Sequence, residues 1–176
     1  MMGVSLKYGS VYGGVMVALF VLSYLIIGMG PETFDVEEKI GYGIMILTSS
    51  VVIMGIRAFR ERGNGGRLSF GQGLKVGGGI SAVGGLCFAV YNFILVTWIY
   101  PDFYPEYMVY YAEKIRSSGR GAEVIAAELE KLQATPEWMG SPLGQSAVMF
   151  VTVFAIGFVV AVIGSLALRR REATPA

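Results

Sequence analysis

The sequence predicts an all-α, polytopic membrane protein with four transmembrane helices, and three observations support this fold class. The 176 residues are 54% hydrophobic and only 15% charged, whereas soluble domains carry about 25% charged residues. Four apolar segments are near or above the length of about 20 residues that crosses a bilayer. Basic residues are concentrated on alternate connections between these segments. The chain is therefore predicted to form a single membrane domain over residues 1–176.

The first two spans differ in how clearly the sequence marks them. Residues 8–28 contain no charge and form a full span. The GMGPE sequence that follows offers no small-x-small cleavage site, so we interpret this segment as a retained helix rather than a cleaved signal peptide. The second span is the uncharged run 40–56, near the lower length limit for crossing a membrane, which we extend past Arg57 to give residues 40–58.

The third and fourth spans are long apolar runs. Residues 76–100 contain no charge and end with Trp98 and Tyr100, which suit a membrane interface. Residues 143–168 form the fourth span and are followed directly by three arginines. Uninterrupted apolar runs lack the alternation of outer-membrane barrel strands, and helices satisfy their own backbone groups in lipid. We therefore expect a helical bundle.

The charge distribution predicts that both termini are cytoplasmic. Nine basic and two acidic residues lie on the side of the termini, a net charge of +7, while the connections 29–39 and 101–142 are each net −3. Basic residues are retained in the cytoplasm, so the two acidic connections are expected outside. The nine basic residues are Lys7, Arg57, Arg60, Arg62, Arg67, Lys75, Arg169, Arg170 and Arg171. All except Lys7 are predicted contacts for anionic lipid headgroups, each contributing about 1 kcal/mol.

The connection 101–142 is too long to be a simple loop, and its periodicity predicts two short amphipathic helices. In the first, an apolar and aromatic face is formed by Tyr104, Met108, Tyr111 and Ile115. The second contains Ile125, Leu129 and Leu132. We expect these helices to cap the bundle or lie on the membrane surface, with a partner-binding surface as the alternative.

Polar groups inside the predicted spans are few and weak. No acidic or basic residue lies deep within them, which disfavours a proton-driven pump. Asn92, flanked by Tyr91, and Ser49, within the Thr48–Ser50 cluster, are the candidate intramembrane polar contacts. We favour a helix-to-helix hydrogen bond for Asn92 over a ligand contact, because amides commonly join membrane helices.

No catalytic, metal or cofactor site is predicted. The sequence contains no histidine and one cysteine, Cys87, so the commonest metal ligand and general base is missing. The connection RERGNGGRLSFGQGLK lacks the GxxxxGK[ST] pattern of a phosphate-binding loop. We expect neither an enzyme nor a nucleic-acid-binding protein.

Four sequence features together resemble a family of small bacterial membrane proteins classed as domain of unknown function 4199. They are KYGSVYGGV at the first span, GIRAFRERGNGGRLSFGQGLKVG between the second and third, YPDFYPEY after the third, and SPLGQ before a last span that ends in RRR. The resemblance covers nearly the whole chain. It implies a bacterial inner-membrane protein, but it implies no activity, ligand or catalytic residue.

Two functional hypotheses follow. The first is a non-enzymatic membrane protein that acts through packing or through contacts with a membrane-protein partner or a second copy of itself. The alternative is a small transporter or channel whose weakly polar path passes Asn92 and Thr48–Ser50.

Overall fold

The structure, a computed structural model, describes residues 1–169 and contains four helices long and apolar enough to cross a membrane. The predicted all-α membrane fold with four spans is thus confirmed. The spans are α1 (Met2–Ile27), span 2 (Phe34–Gly63), span 3 (Phe70–Ile99) and α8 (Pro142–Ala167). Three further helices connect span 3 to α8, namely α5 (Phe103–Arg116), α6 (Ala122–Gln133) and α7 (Glu137–Gly140). We call the end of the bundle that carries α5–α7 the acidic end, and the opposite end the basic end.

Span 2 is longer than the predicted residues 40–58. It comprises α2 (Phe34–Thr48), α3 (Ser50–Ala58) and a π-helical turn, Phe59–Gly63. The helix begins at Phe34 because Asp35 and Glu37 stand in its first turn, where negative charge stabilises the unpaired N–H groups. Three of the four acidic residues assigned to the connection, Asp35, Glu37 and Glu38, thus belong to the membrane-spanning helix.

A local break separates α2 from α3 at Ser49. The Thr48 hydroxyl donates to the Ile44 carbonyl oxygen at 2.6 Å, and the Ser49 hydroxyl donates to the Ile46 carbonyl oxygen at 2.6 Å. Hydroxyls that bond to carbonyls of the preceding turn bend helices. This pair therefore accounts for the interruption of span 2.

Span 3 comprises α4 (Phe70–Ile94) and a π-helical turn, Leu95–Ile99. A capping box fixes its start, since the Ser69 hydroxyl accepts from the Gln72 backbone N–H while the Gln72 side chain accepts from the Ser69 backbone N–H. The helix begins earlier than the predicted residues 76–100 because this cap stabilises an extra turn.

Helix α4 lies at the centre of the bundle and packs against both α1 and α8. Small residues allow these close approaches: a Cβ at Gly77 would lie 3.2 Å from the Ala161 Cα, and one at Gly73 would lie 3.2 Å from the Ser165 Cα. Small residues four positions apart on α4 thus pack against small residues four positions apart on α8, as expected for tight packing of membrane helices.

Candidate functional site

A cavity of about 440 Å³ lies between the four spans at the acidic end, beneath α5. Aromatic and methionine side chains form most of its wall, among them Phe20, Tyr24, Met45, Phe88, Tyr107 and Met149. The cavity reaches Met45 and Thr152, near the middle of their spans. Small-molecule sites commonly enclose about 300–1,000 Å³ with mainly apolar walls and a few polar groups. The size and lining of this cavity match that description.

The apolar face of α5 covers the cavity. Tyr104, Met108 and Tyr111 line it, and Ile115, the fourth member of the predicted face, is buried. In the second amphipathic helix, Leu132 also reaches the cavity wall. The predicted periodicity therefore identifies the surface that α5 presents to the bundle.

An aromatic cluster attaches α5 to the start of span 2. The buried Phe34 ring makes edge-on contacts with Phe103, Tyr107 and Tyr110, with ring centroids 5.3–5.8 Å apart. Edge-on aromatic pairs contribute about 0.5–1.5 kcal/mol each beyond their burial. This cluster positions α5 over the cavity.

A salt bridge joins the same two elements at the surface. The Lys114 Nζ donates to the Asp35 Oδ1 at 2.5 Å and lies 3.8 Å from the Glu38 Oε2. The hydrogen bond to Asp35 raises the pKa of Lys114. Lys114 therefore neutralises two of the acidic residues at the start of span 2.

Glu37 differs from its acidic neighbours. Its half-buried side chain lines the cavity and accepts a 2.5 Å hydrogen bond from the Thr33 hydroxyl. Within residues 1–169 it forms no salt bridge. It stands in the first turn of span 2, which begins six residues before the predicted boundary, and therefore lies near the end of the span rather than deep within it.

Asn92 contributes one of the two amide groups of the described cavity wall. Its Nδ2 donates to the Ser146 Oγ at 3.4 Å, and the Ser146 hydroxyl donates to the Pro142 carbonyl oxygen at 2.7 Å. The predicted helix-to-helix hydrogen bond is thus present between α4 and α8. Asn92 also lines the cavity, and a ligand contact for it stays a prediction.

Tyr91 and Ser49, the other predicted intramembrane contacts, occupy different places. Tyr91 lines the cavity and packs on Phe88, with ring centroids 5.6 Å apart. Ser49 is buried, does not line the cavity, and bonds to its own helix. The structure therefore brings Tyr91 together with Asn92 but not with Ser49.

The predicted lipid-facing basic residues are arranged at the basic end. Arg57 and Arg60 each pair with Glu61, at 2.9 and 3.1 Å, and the Arg60 Nη1 donates to the Leu168 carbonyl oxygen at 3.4 Å. Arg60 thereby links span 2 to the end of α8. Three of the others, Arg62, Lys75 and Arg169, are exposed. Arg67 lies in the connection to span 3. Arg170 and Arg171 lie outside the described residues.

Sequence reasoning missed Glu37, Phe34 and Gly41 as parts of the site. A signal was available, because Phe34, Glu37, Gly41 and Met45 recur at helical spacing and share one face. This face became visible only when the helix was extended back to Phe34. Within residues 1–169, no group of three or more cysteine, aspartate or glutamate side chains is arranged to hold a metal ion.

Comparison with known proteins identifies a family. No curated protein and no solved structure matches the chain significantly. The model of the family described as "Protein of unknown function (DUF4199)" matches residues 7–170, which include α1 from residue 7 onward, the other three spans, and the helices that cover the cavity. The chain therefore belongs to this family of proteins of unknown function.

Proposed function

We propose that this protein is a non-enzymatic membrane protein that binds an apolar or amphipathic small molecule of lipid-like character in the cavity at its acidic end. The observation that carries this proposal is the cavity of about 440 Å³ with its aromatic and methionine wall. Burial of apolar surface contributes about 25 cal/mol per Å², so such a wall favours a ligand that is largely hydrocarbon.

The core beneath the cavity supports binding rather than transport. Val52, Ile56, Val76 and Ile80 are fully buried between the cavity and the basic end. A transport path would have to open this packed layer, and the hydroxyls of Thr48 and Ser49 are already bonded to their own helix. Closely packed interiors resist such opening because each lost contact costs dispersion energy.

The composition of the described cavity wall supports a non-enzymatic role. The described wall offers two carboxyl groups, two amides and several phenols, and the sequence contains no histidine. A nucleophile activated by a neighbouring base is the usual requirement for covalent catalysis. The wall suits recognition of a ligand better than its conversion.

The proposal includes the location that the charges predict. The acidic end would face the outside of a bacterial inner membrane, while the basic end and both termini face the cytoplasm. Exposed Arg62 and Lys75 would then contact anionic headgroups. A membrane-protein partner or a second copy of the chain would bind the lipid-facing surfaces, which stay outside the cavity.

Photolabelling tests ligand binding directly. A neutral fatty alcohol that carries a diazirine should label peptides around Met149 and Thr152, and an unlabelled alcohol should compete for this site. Gly41 lines the cavity and Gly43 faces open space two residues further along the same helix. Gly41→Leu should reduce the labelling about tenfold by filling the cavity, while Gly43→Leu should leave it unchanged.

The two leucine variants make the result specific, since both add the same apolar group to α2. Equal labelling of Gly41→Leu and Gly43→Leu, or labelling that an excess of unlabelled alcohol does not reduce, would exclude the cavity as a binding site.

A further inference from the structure

We infer that the cavity selects a hydrophobic cation and that Glu37 is the anchor for its positive charge. This inference rests on the proposed function, because it specifies the chemical class of ligand that the same cavity holds. Three features carry it: the charge of the wall, the uncompensated position of Glu37, and the aromatic faces beside it.

The cavity wall is acidic. Glu37 and Glu38 contribute carboxyl groups, and no lysine or arginine of residues 1–169 lines the cavity. Lys114 pairs with both Asp35 and Glu38 on the surface, which leaves Glu37 as the uncompensated charge of the described wall. An anionic ligand would meet this like charge, whereas a cation would be attracted to it.

Among residues 1–169, Glu37 has no positively charged partner. Its carboxyl group is half-buried in span 2, and the Thr33 hydroxyl supplies its hydrogen bond. A carboxylate removed from water is costly unless an opposite charge compensates it. Ionisable groups kept inside membrane proteins usually mark ligand or ion sites. A bound cation would supply the compensation that the described chain lacks.

Aromatic rings line the same cavity as this carboxyl group. Tyr24 and Tyr91 belong to this wall, and Phe20 and Phe88 pack against each other in it with ring centroids 4.7 Å apart. The faces of such rings attract organic cations within about 6 Å. A carboxylate beside several rings thus matches an ammonium or phosphonium centre that carries apolar substituents.

Competition in the photolabelling assay tests this selectivity. Tetraphenylphosphonium and tetraphenylborate have the same shape and opposite charge. On the unaltered protein, the cation should displace the diazirine alcohol at a concentration about tenfold lower than the anion does. Glu37→Gln keeps the acceptor for Thr33 and removes the charge, so it should abolish this preference. Glu32→Gln, the matched control, removes a carboxylate of the same segment that is exposed and does not line the cavity, so it should preserve the preference within about twofold.

The outcomes separate this inference from the proposed function. Labelling that depends on Gly41, with equal competition by the two ions on the unaltered protein, would overturn the cation site and leave the binding cavity intact. A cation preference that persists in Glu37→Gln would assign the selectivity to another group and overturn the role of Glu37. Loss of all competable labelling would instead refute the proposed function.

Discussion

Gly13 and Gly14 are adjacent in α1, but Gly13 packs against α4 and Gly14 faces open space. Their substitution tests how closely α1 and α4 must approach each other. A Cβ at Gly13 would overlap the Cβ of Cys87 and lie 3.2 Å from the Gly84 carbonyl oxygen, whereas a Cβ at Gly14 meets nothing within 4 Å. Gly13→Ala should therefore lower the free energy of unfolding by about 1–3 kcal/mol, because α1 and α4 must separate. Thermal unfolding in detergent measures this change.

Gly14→Ala is the matched control for that substitution. It adds the same methyl group one residue away, on the lipid-facing side, and alanine has the higher helix propensity. The melting temperature should stay equal or rise. A similar loss of stability in both variants would show that the close contact of α1 with α4 at Gly13 is not what limits stability.

The attachment of α5 to the bundle depends on apolar contact more than on charge. Phe34 is buried among three aromatic rings, and substitution of a buried phenylalanine by alanine costs about 3–5 kcal/mol. The Lys114–Asp35 pair is exposed, and such pairs contribute about 0–1 kcal/mol. Phe34→Ala should therefore release α5, with faster hydrogen exchange over residues 103–116, while Lys114→Ala should change that exchange little.

Val109 provides the control for this comparison, since its side chain is 72% exposed on α5. Val109→Ala should leave exchange over residues 103–116 unchanged. Faster exchange in Lys114→Ala than in Phe34→Ala would mean that the salt bridge holds the helix. Exchange within the four spans should stay slow in all three variants, because the aromatic cluster lies at their acidic end.

Across the whole molecule, the features that sequence predicted are those that depend on local pattern. Apolar length identified four spans, and periodicity identified the face of α5 that includes Tyr104, Met108 and Tyr111. Both follow from residues that are neighbours along one helix. Asn92 was identified for the same reason, because an amide in an apolar run is conspicuous.

The cavity was not predictable, because it depends on how far separate helices lie apart. The charged residues before residue 40 led us to predict that span 2 begins there, and this boundary placed Glu37 in a loop. In the structure the span begins at Phe34, so Glu37 belongs to it. The cavity also requires α5 to cover a space between spans that are distant in sequence. The sequence pattern of one helix does not predict the distance between that helix and others.

The orientation of the molecule is predicted by the net charge of +7 that the sequence assigns to the side of the termini, against −3 in each acidic connection. Ser117 and Gly71 are exposed at opposite ends. In a Cys87→Ser background, a membrane-impermeant maleimide should label Ser117→Cys in intact bacteria, and should label Gly71→Cys only after permeabilisation, because basic segments are retained in the cytoplasm. The reverse pattern would place the acidic end and its cavity inside the cell, where a ligand would have to arrive from the cytoplasm.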